Sequence, residues 1–441
     1  MEAAQIIPQM GAGEQTVKAG RVARPSAVSM ETDGSRRKLV IIAPGIPHES
    51  RGASTVLFYH YIAGLKGRGF RVLNALLLQP DNSTEEGYAE YERKMSDGET
   101  FTVVPCRADN FVVSKRFSLQ LDASAAAEAL ARIEEFQPNA VVCFDLISAW
   151  IGSHIRAGAK IVWLGDLRFQ TEWYHMWYGM KESRRNIPNL PFALVRCTLW
   201  RRIYRNVLRR MDSVIVSAKI SQDHLHRMGI EPKYLPYPWP DAAAGANAAA
   251  IERPAMPTFL FLGTLTGLGS RSAFHFMLNG VYPEALRIWG QNGFRVLIAG
   301  ARALPNWVQR ELEDRPEFSY LGFVEDIVSV MRTCYAVLVP IDVPVGNRSR
   351  ILTAMSAGVP VIAHENAALG NPDLVDGTTC YLARDGRSFV ERMRKAVERP
   401  EEAAMIVKQA RACYEARFAP AAATRMLVAE IERVMEARRK G

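Results

Sequence analysis

An apolar run of about 18 residues, the length a helix needs to cross a bilayer, is missing from this 441-residue chain. The charged, apolar and small-residue order of a secretory signal is missing too, which makes the cytoplasm the expected address. Cysteine is scarce. Six residues, at 106, 143, 197, 334, 380 and 413, lie far apart with no CxxC pair and no matching histidine spacing. That excludes a zinc site or a disulfide framework and leaves reduced thiols in or near the cores. No Asp-x-Asp pair occurs to hold a divalent ion on a diphosphate, so a metal would have to rely on isolated carboxylates. GxGxxG is absent as well: GIPHESRG follows the first apolar run, and GTLTGLGS in the second half lacks its last glycine, which speaks against a nicotinamide cofactor.

The chain is long enough for two cores. With 48% hydrophobic and 23% charged residues it has the material of a globular protein. Its formal net charge of +9 favours an anionic partner. Nucleic acid is not expected, since no binding motif occurs and no aromatics interleave on a basic face.

Short apolar runs alternate with amphipathic stretches. LVIIAP (39–44), FRVLNALLL (70–78), NAVVCF (139–144), AKIVWLG (159–165) and DSVIVS (212–217) read as strands in the first half. Proline, alanine and glycine then dominate up to residue 257. TFLFLG (258–263), FRVLIAG (294–300), FSYLGF (318–323), AVLVPI (336–341) and VPVIAH (359–364) resume the pattern. Near-continuous apolar strands between helices imply parallel sheets covered on both faces. The expected organisation is a flexible tail over 1–37, a Rossmann-like domain over 38–240, a linker over 241–257, a second Rossmann-like domain over 258–400, and terminal helices over 401–441 that could cross back to the first domain. The class is α/β, two doubly wound parallel-sheet domains facing a cleft, with ligands beyond the carboxyl ends of the strands.

One stretch breaks a local rule. In VPVGNRSRILTAMSAGVPVIA a helix opens with Arg348 and Arg350, although a helix N-terminus favours negative charge. Unpaired N–H groups together with two guanidiniums at that end suit a phosphate; the alternative is two solvated surface arginines.

The text from Tyr320 to Leu382 resembles the nucleotide-binding half of GT-B glycosyltransferases, in the large retaining group that uses nucleotide-diphosphate sugars. The matching segments are YLGFVEDIVSVMRTCYAVLVPI, GNRSRILTAMSAGVPVIA and ALGNPDLVDGTTCYLA, in the family's order. The family's "GTRLKILEAMAAGVPVV" places Arg348 at its arginine and Arg350 at its lysine. The resemblance implies that these two hold the donor diphosphate. Arg271, read as lying in the loop after the first strand of the second domain, is a third candidate, and Gly52 of the first loop could bring backbone N–H groups near the phosphate. Phe323 and Val324 stand where the base edge would lie, and Thr353 where relatives carry the glutamate that holds the ribose. The earlier of their two glutamates is replaced by Gly346. On the catalytic side, Asp166 matches the acidic member of the family's His-Asp pair, with Gly165 at the histidine position; it equally suits a helix N-cap. His48 could meet the donor sugar or the acceptor, or be a surface residue. No metal or other cofactor is implied, because cations and helix N–H groups supply the charge; the nucleotide sugar is a co-substrate. The acceptor would be a polysaccharide or glycolipid under assembly. The missing glutamates leave open a catalytically degenerate subunit that only binds nucleotide sugar or scaffolds.

From Arg184 to Arg210 the chain holds eight arginines and no acidic residue. Residues 191–211 read as a helix with Phe192, Val195, Leu199, Ile203 and Val207 on an inward stripe, Trp200 and Tyr204 beside it, and Arg201, Arg202, Arg205 and Arg209 opposite. That helix could lie against an anionic membrane surface on its inner face, or its arginines could simply be solvated.

Overall fold

The computed structural model describes residues 37–440 apart from 50–51, 53, 79–84, 96–100, 108–110, 114–118, 122, 157, 245–252, 301–302 and 345–347. The expected tail therefore lies outside the described residues except for Arg37, as do Gly346 and the middle of the expected linker.

The first half carries β1 (Lys38–Pro44), β2 (Arg71–Leu78), β3 (Phe101–Arg107), β4 (Phe111–Val113), β5 (Leu119–Leu121), β6 (Ala140–Phe144), β7 (Ala159–Leu164), β8 (Ser213–Val216) and β9 (Pro232–Tyr234). Seven of these form a parallel sheet in the order β3-β2-β1-β6-β7-β8-β9, and β4 with β5 makes a separate antiparallel hairpin. The second half carries β10 (Thr258–Leu262), β11 (Arg295–Ala299), β12 (Phe318–Gly322), β13 (Ala336–Val339), β14 (Val361–His364) and β15 (Tyr381–Ala383), parallel in the order β12-β11-β10-β13-β14-β15. Leu39 to Ala43 in β1 are each at most 1% exposed: with both faces covered, the sequence shows no alternation.

All ten runs read as strands are strands. Those not foreseen are β3, the hairpin, β9 and β15. Pro105 argues against a strand in β3, yet β3 is an edge that pairs only with β2, where a missing N–H is tolerated. β9 and β15, three residues each, are too short to show a period.

Each sheet reverses its strand order once, between β1 and β6 and between β10 and β13. Chains leaving two such neighbours diverge and open a crevice beyond their carboxyl ends. Around these ends stand α1 (Ser54–Lys66), α2 (Glu85–Met95), α3 (Asp145–Gly152), α4 (Arg168–Glu182), α5 (Leu190–Leu208), α6 (Leu268–Phe276) and α7 (Ser349–Ala357). The chain ends in α8 (Pro400–Arg417) and α9 (Pro420–Lys440).

α8 packs on α7, and Arg411 grips Asp241 with both terminal nitrogens at 2.7 and 2.6 Å. α9 returns to the first domain. There Glu430 accepts hydrogen bonds from Ser213, Lys233 and Arg433, each at 2.6 Å, and Asp212 meets Arg438 at 2.9 Å. Both domains are thus tied by the same terminal hairpin. The five described thiols are unpaired, four of them buried.

Candidate active site

α7 is cut short at its start by Arg348, whose backbone (φ −100°, ψ 59°) is not helical and whose side chain does not cap. Among the described residues no side chain caps the first N–H groups of the helix, which stand at the reversal point of the second sheet. Arg348 folds back so that Nη2 donates to Val343 O at 2.5 Å, while its buried Nε has no partner. Arg350 donates to Leu262 O at the end of β10 and to Ser270 Oγ at 3.1 Å. Gly263 makes this possible: a Cβ there would stand 2.8 Å from Ser270 Oγ and 3.1 Å from Arg350 Nη1.

These hydrogen bonds go to neutral oxygens only. Burial draws the pKa of Arg348 down to about 10, against the opposing pull of Asp166 and Tyr237. Arg350 comes down to about 10 through burial and then through its like-charged neighbour Arg348. Both remain cations at neutral pH. Two partly desolvated, mutually repelling cations form a site that gains from an anion.

Asp166 belongs to the facing domain, just past β7, and is exposed. Its field reaches Arg348, Tyr237 and Tyr204. It is not a helix cap, because Leu167 precedes α4 and no side chain caps that end.

Sequence reasoning missed Asp145. It follows Phe144, which is fully buried, at the reversal point of the first sheet. Its backbone has φ 77°, and a non-glycine residue held there costs roughly 1 kcal/mol or more. The side chain is open to solvent, yet surrounding protein raises its pKa, against a hydrogen bond from Leu146 N and the charge of Arg168. Both facts hold for a carboxylate on the floor of a crevice, reached by water but walled by protein. The only sequence signal was an acidic residue directly after an apolar strand.

The remaining candidates are dispersed. His48 and Gly52 line a cavity of about 400 Å³ with Glu49, Tyr59, Glu90 and Lys94, all from the first domain. His48 N donates to Thr55 O at 3.2 Å, which folds the loop onto the start of α1. Gly52 has φ 80°, and a Cβ there would lie 2.4 Å from Thr55 Oγ1. Arg271 is a correction: it stands inside α6, not in a loop, because the helix starts at Leu268 and runs through Gly269. Its guanidinium grips Glu182 of the first domain at 2.5 and 2.6 Å. Phe323 is 61% exposed after the edge strand β12, with Val324 packed on the core beside it. β11 and β10 stand between β12 and β13, so this edge lies three strand spacings, roughly 14 Å, from the strand that leads into α7. Thr353 is already engaged. Its hydroxyl accepts from Trp239 Nε1 at 2.9 Å and donates to Ser349 O at 3.1 Å, which leaves one lone pair.

The expected inward stripe of α5 holds at Ile203 and Val207, with Trp200 and Tyr204 beside them, and needs correction at Phe192 and Val195. The buried face is Ala193, Cys197, Trp200, Ile203, Tyr204, Val207 and Leu208, while Phe192 and Val195 point outward at 72% and 57% exposure. Small residues at 193 and 197 let the helix approach α4, with Cys197 Sγ donating to Phe169 O at 3.3 Å. The arginines stay exposed as expected.

Residues 256–399 match the family described as Glycosyl transferases group 1. No curated protein matches the chain. Among solved structures, HepE of Anabaena in complex with UDP and glucose is similar at 15% identity and a TM-score of 0.60, covering 90% of this chain and 99% of its own. Sucrose-phosphate synthase of Thermosynechococcus elongatus shows 15% identity and a TM-score of 0.60, covering 91% and 100%. A glycosyltransferase of Rickettsia africae shows 13% and 0.65, covering 91% and 99%. At such identities these structures establish the shared architecture.

Proposed function

We propose that this chain, a GT-B glycosyltransferase whose second domain is of group 1, transfers a sugar with retention from a nucleotide-diphosphate donor to a glycan or glycolipid. The observation that carries the reading is the guanidinium pair at the mouth of α7, held among the described residues by neutral oxygens and faced by Asp166.

The donor diphosphate lies on Arg348, Arg350 and the first N–H groups of α7, with the base toward Phe323 and Val324. As the bond from the anomeric carbon to the diphosphate oxygen breaks, its electron pair leaves with the nucleoside diphosphate, and the prearranged cations stabilise that charge. The acceptor oxygen bonds to the anomeric carbon on the same face, and its proton passes to a leaving phosphate oxygen. Asp166 and Asp145 orient sugar hydroxyls from the first domain. The cavity of His48, Glu49 and Gly52 receives the acceptor, and the charge on the second domain makes a metal unnecessary. Arg271 joins the diphosphate only after releasing Glu182. Thr353, tied to Trp239, offers the ribose one lone pair. The UDP in HepE makes uridine donors the first to try.

No described helix is long and apolar enough to cross a membrane. The place of action is proposed as the cytoplasmic face of a membrane, approached through the arginine-rich 191–211 helix, where a glycolipid acceptor would reside.

The test is a thermal-shift screen of UDP, GDP and ADP and their sugars, followed by incubation of the best donor with glycan and glycolipid acceptors, with and without EDTA. Sugar transfer that persists in EDTA supports the reading. Failure of every nucleotide to stabilise the protein overturns it, and tight binding without hydrolysis or transfer would make the chain a binding subunit.

A further inference from the structure

We infer that α4, the 3-10 turn Arg184–Asn189 and α5 form a bilayer-docking arm that seats one acidic phospholipid in an aromatic pocket. This rests on the membrane reading above and extends its site from the 191–211 helix to the elements packed beside it. Among the described residues eleven large hydrophobics are exposed, and five of them, Trp177, Ile187, Phe192, Leu194 and Val195, fall on this arm. The three elements pack on one another, so these side chains share one tip of the molecule. Such clustering on a soluble surface marks an interaction site.

Charge identifies the partner. Of the eight arginines from Arg184 to Arg210, Arg196 alone has an ion pair among the described residues, to Glu172 at 2.5 Å. The others carry uncompensated charge beside the apolar tip, the pairing that suits acidic headgroups over hydrocarbon.

Between α4 and α5 lies a cavity of about 280 Å³, walled by Phe169, Trp173, Tyr174 and Leu194 and edged by Arg201. Arg201 stands 5.3 Å from the Phe169 ring centre. Gln170 also lines it, 4% exposed. Ser221 Oγ donates to its Oε1 at 3.2 Å, and its Nε2 has no partner. The unpaired Nε2 is a buried donor, and a ligand oxygen that accepts from it removes the cost of leaving it unsatisfied. Apolar walls, one guanidinium and one unpaired amide atom fit the upper acyl chain and the phosphate-glycerol region of an anionic lipid.

The full chain is sedimented with vesicles of phosphatidylcholine alone and of phosphatidylcholine mixed with phosphatidylglycerol. Wild type should be pulled down only by the acidic vesicles and released by salt. Phe192→Ser with Leu194→Ser should weaken partitioning roughly tenfold per side chain, and Arg201→Gln severalfold, with melting temperatures unchanged because all three side chains lie at the surface. Brominated phosphatidylglycerol should quench wild-type indole fluorescence more than that of Trp173→Phe. If wild type ignores acidic vesicles, the membrane reading itself falls. If it binds and the three surface substitutions leave binding intact, that reading stands and this arm is overturned as its site. Equal quenching of wild type and Trp173→Phe overturns the lipid seat.

Discussion

Removing one guanidinium from the mouth of α7 should cut nucleotide stabilisation by half or more while barely changing the empty protein. Arg350 makes two hydrogen bonds, to Leu262 O and Ser270 Oγ, and losing them costs about 1 kcal/mol each. Against that, Arg350→Ala removes a buried cation and its repulsion from Arg348. The two contributions oppose each other, so the melting temperature without ligand should move by less than about 2 °C. With ligand the balance differs. A nucleotide at a hundred times its Kd stabilises by about 2.7 kcal/mol. For the 441 residues, an unfolding entropy of roughly 0.9 kcal/mol/K turns this into a rise of about 3 °C. A hydrogen bond to a charged group contributes about 1.5–3 kcal/mol, so Arg348→Ala or Arg350→Ala weakens binding by about ten- to hundredfold. At the same nucleotide concentration the rise falls to between about 1.5 and 0.5 °C. Arg287→Ala, which removes an exposed pair with Glu284, is the control. A full 3 °C rise in either variant, or an equal loss in the control, would refute the argument that this pair holds the anion.

Three other perturbations follow from the contacts. Burial would raise Glu430, but hydrogen bonds from Arg433, Lys233 and Ser213 outweigh it and bring its pKa to about 2. Its contribution, on the order of 3 kcal/mol, is present above the unfolded value near 4.5 and lost as pH falls toward 2; Glu430→Gln should flatten acid unfolding in that window. Asp145 is shifted the other way, so its contribution exists at low pH and disappears as pH rises through the folded value. Asp145→Asn should therefore be at least as stable as wild type at pH 7, yet transfer sugar at least about tenfold more slowly. Arg271 and Glu182 are partly exposed, so their bond contributes at most about 1 kcal/mol to stability. Glu182→Gln should free Arg271 and tighten nucleotide binding severalfold by calorimetry, and Arg271→Ala should weaken it. No change in either would confine Arg271 to bridging the domains.

How much of this was legible in the chain depends on how local the signal is. Ten strands could be read because a buried parallel strand is a continuous apolar run bounded by turn residues, and Arg348 and Arg350 stood out because cations at a helix start violate a rule that acts within one turn. Strands at sheet edges escaped notice, since Pro105 is forbidden only in a paired interior and three residues show no period. The first turns of the inward face of α5 were misassigned because periodicity gives the width of a stripe, whereas the fit of Ala193 and Cys197 against α4 sets its rotation there.

The amino-acid pattern alone determined two parallel sheets, the order of their strands along the chain and one helix that opens with two cations, all consequences of short-range hydrophobic and helix-end physics. Only the tertiary structure decided what faces that helix. Asp166 reaches Arg348 across the crevice, Glu182 occupies Arg271, and Trp239 fills Thr353 from 114 positions away. Such pairings depend on how two finished domains pack, and no local rule of sequence encodes that distance.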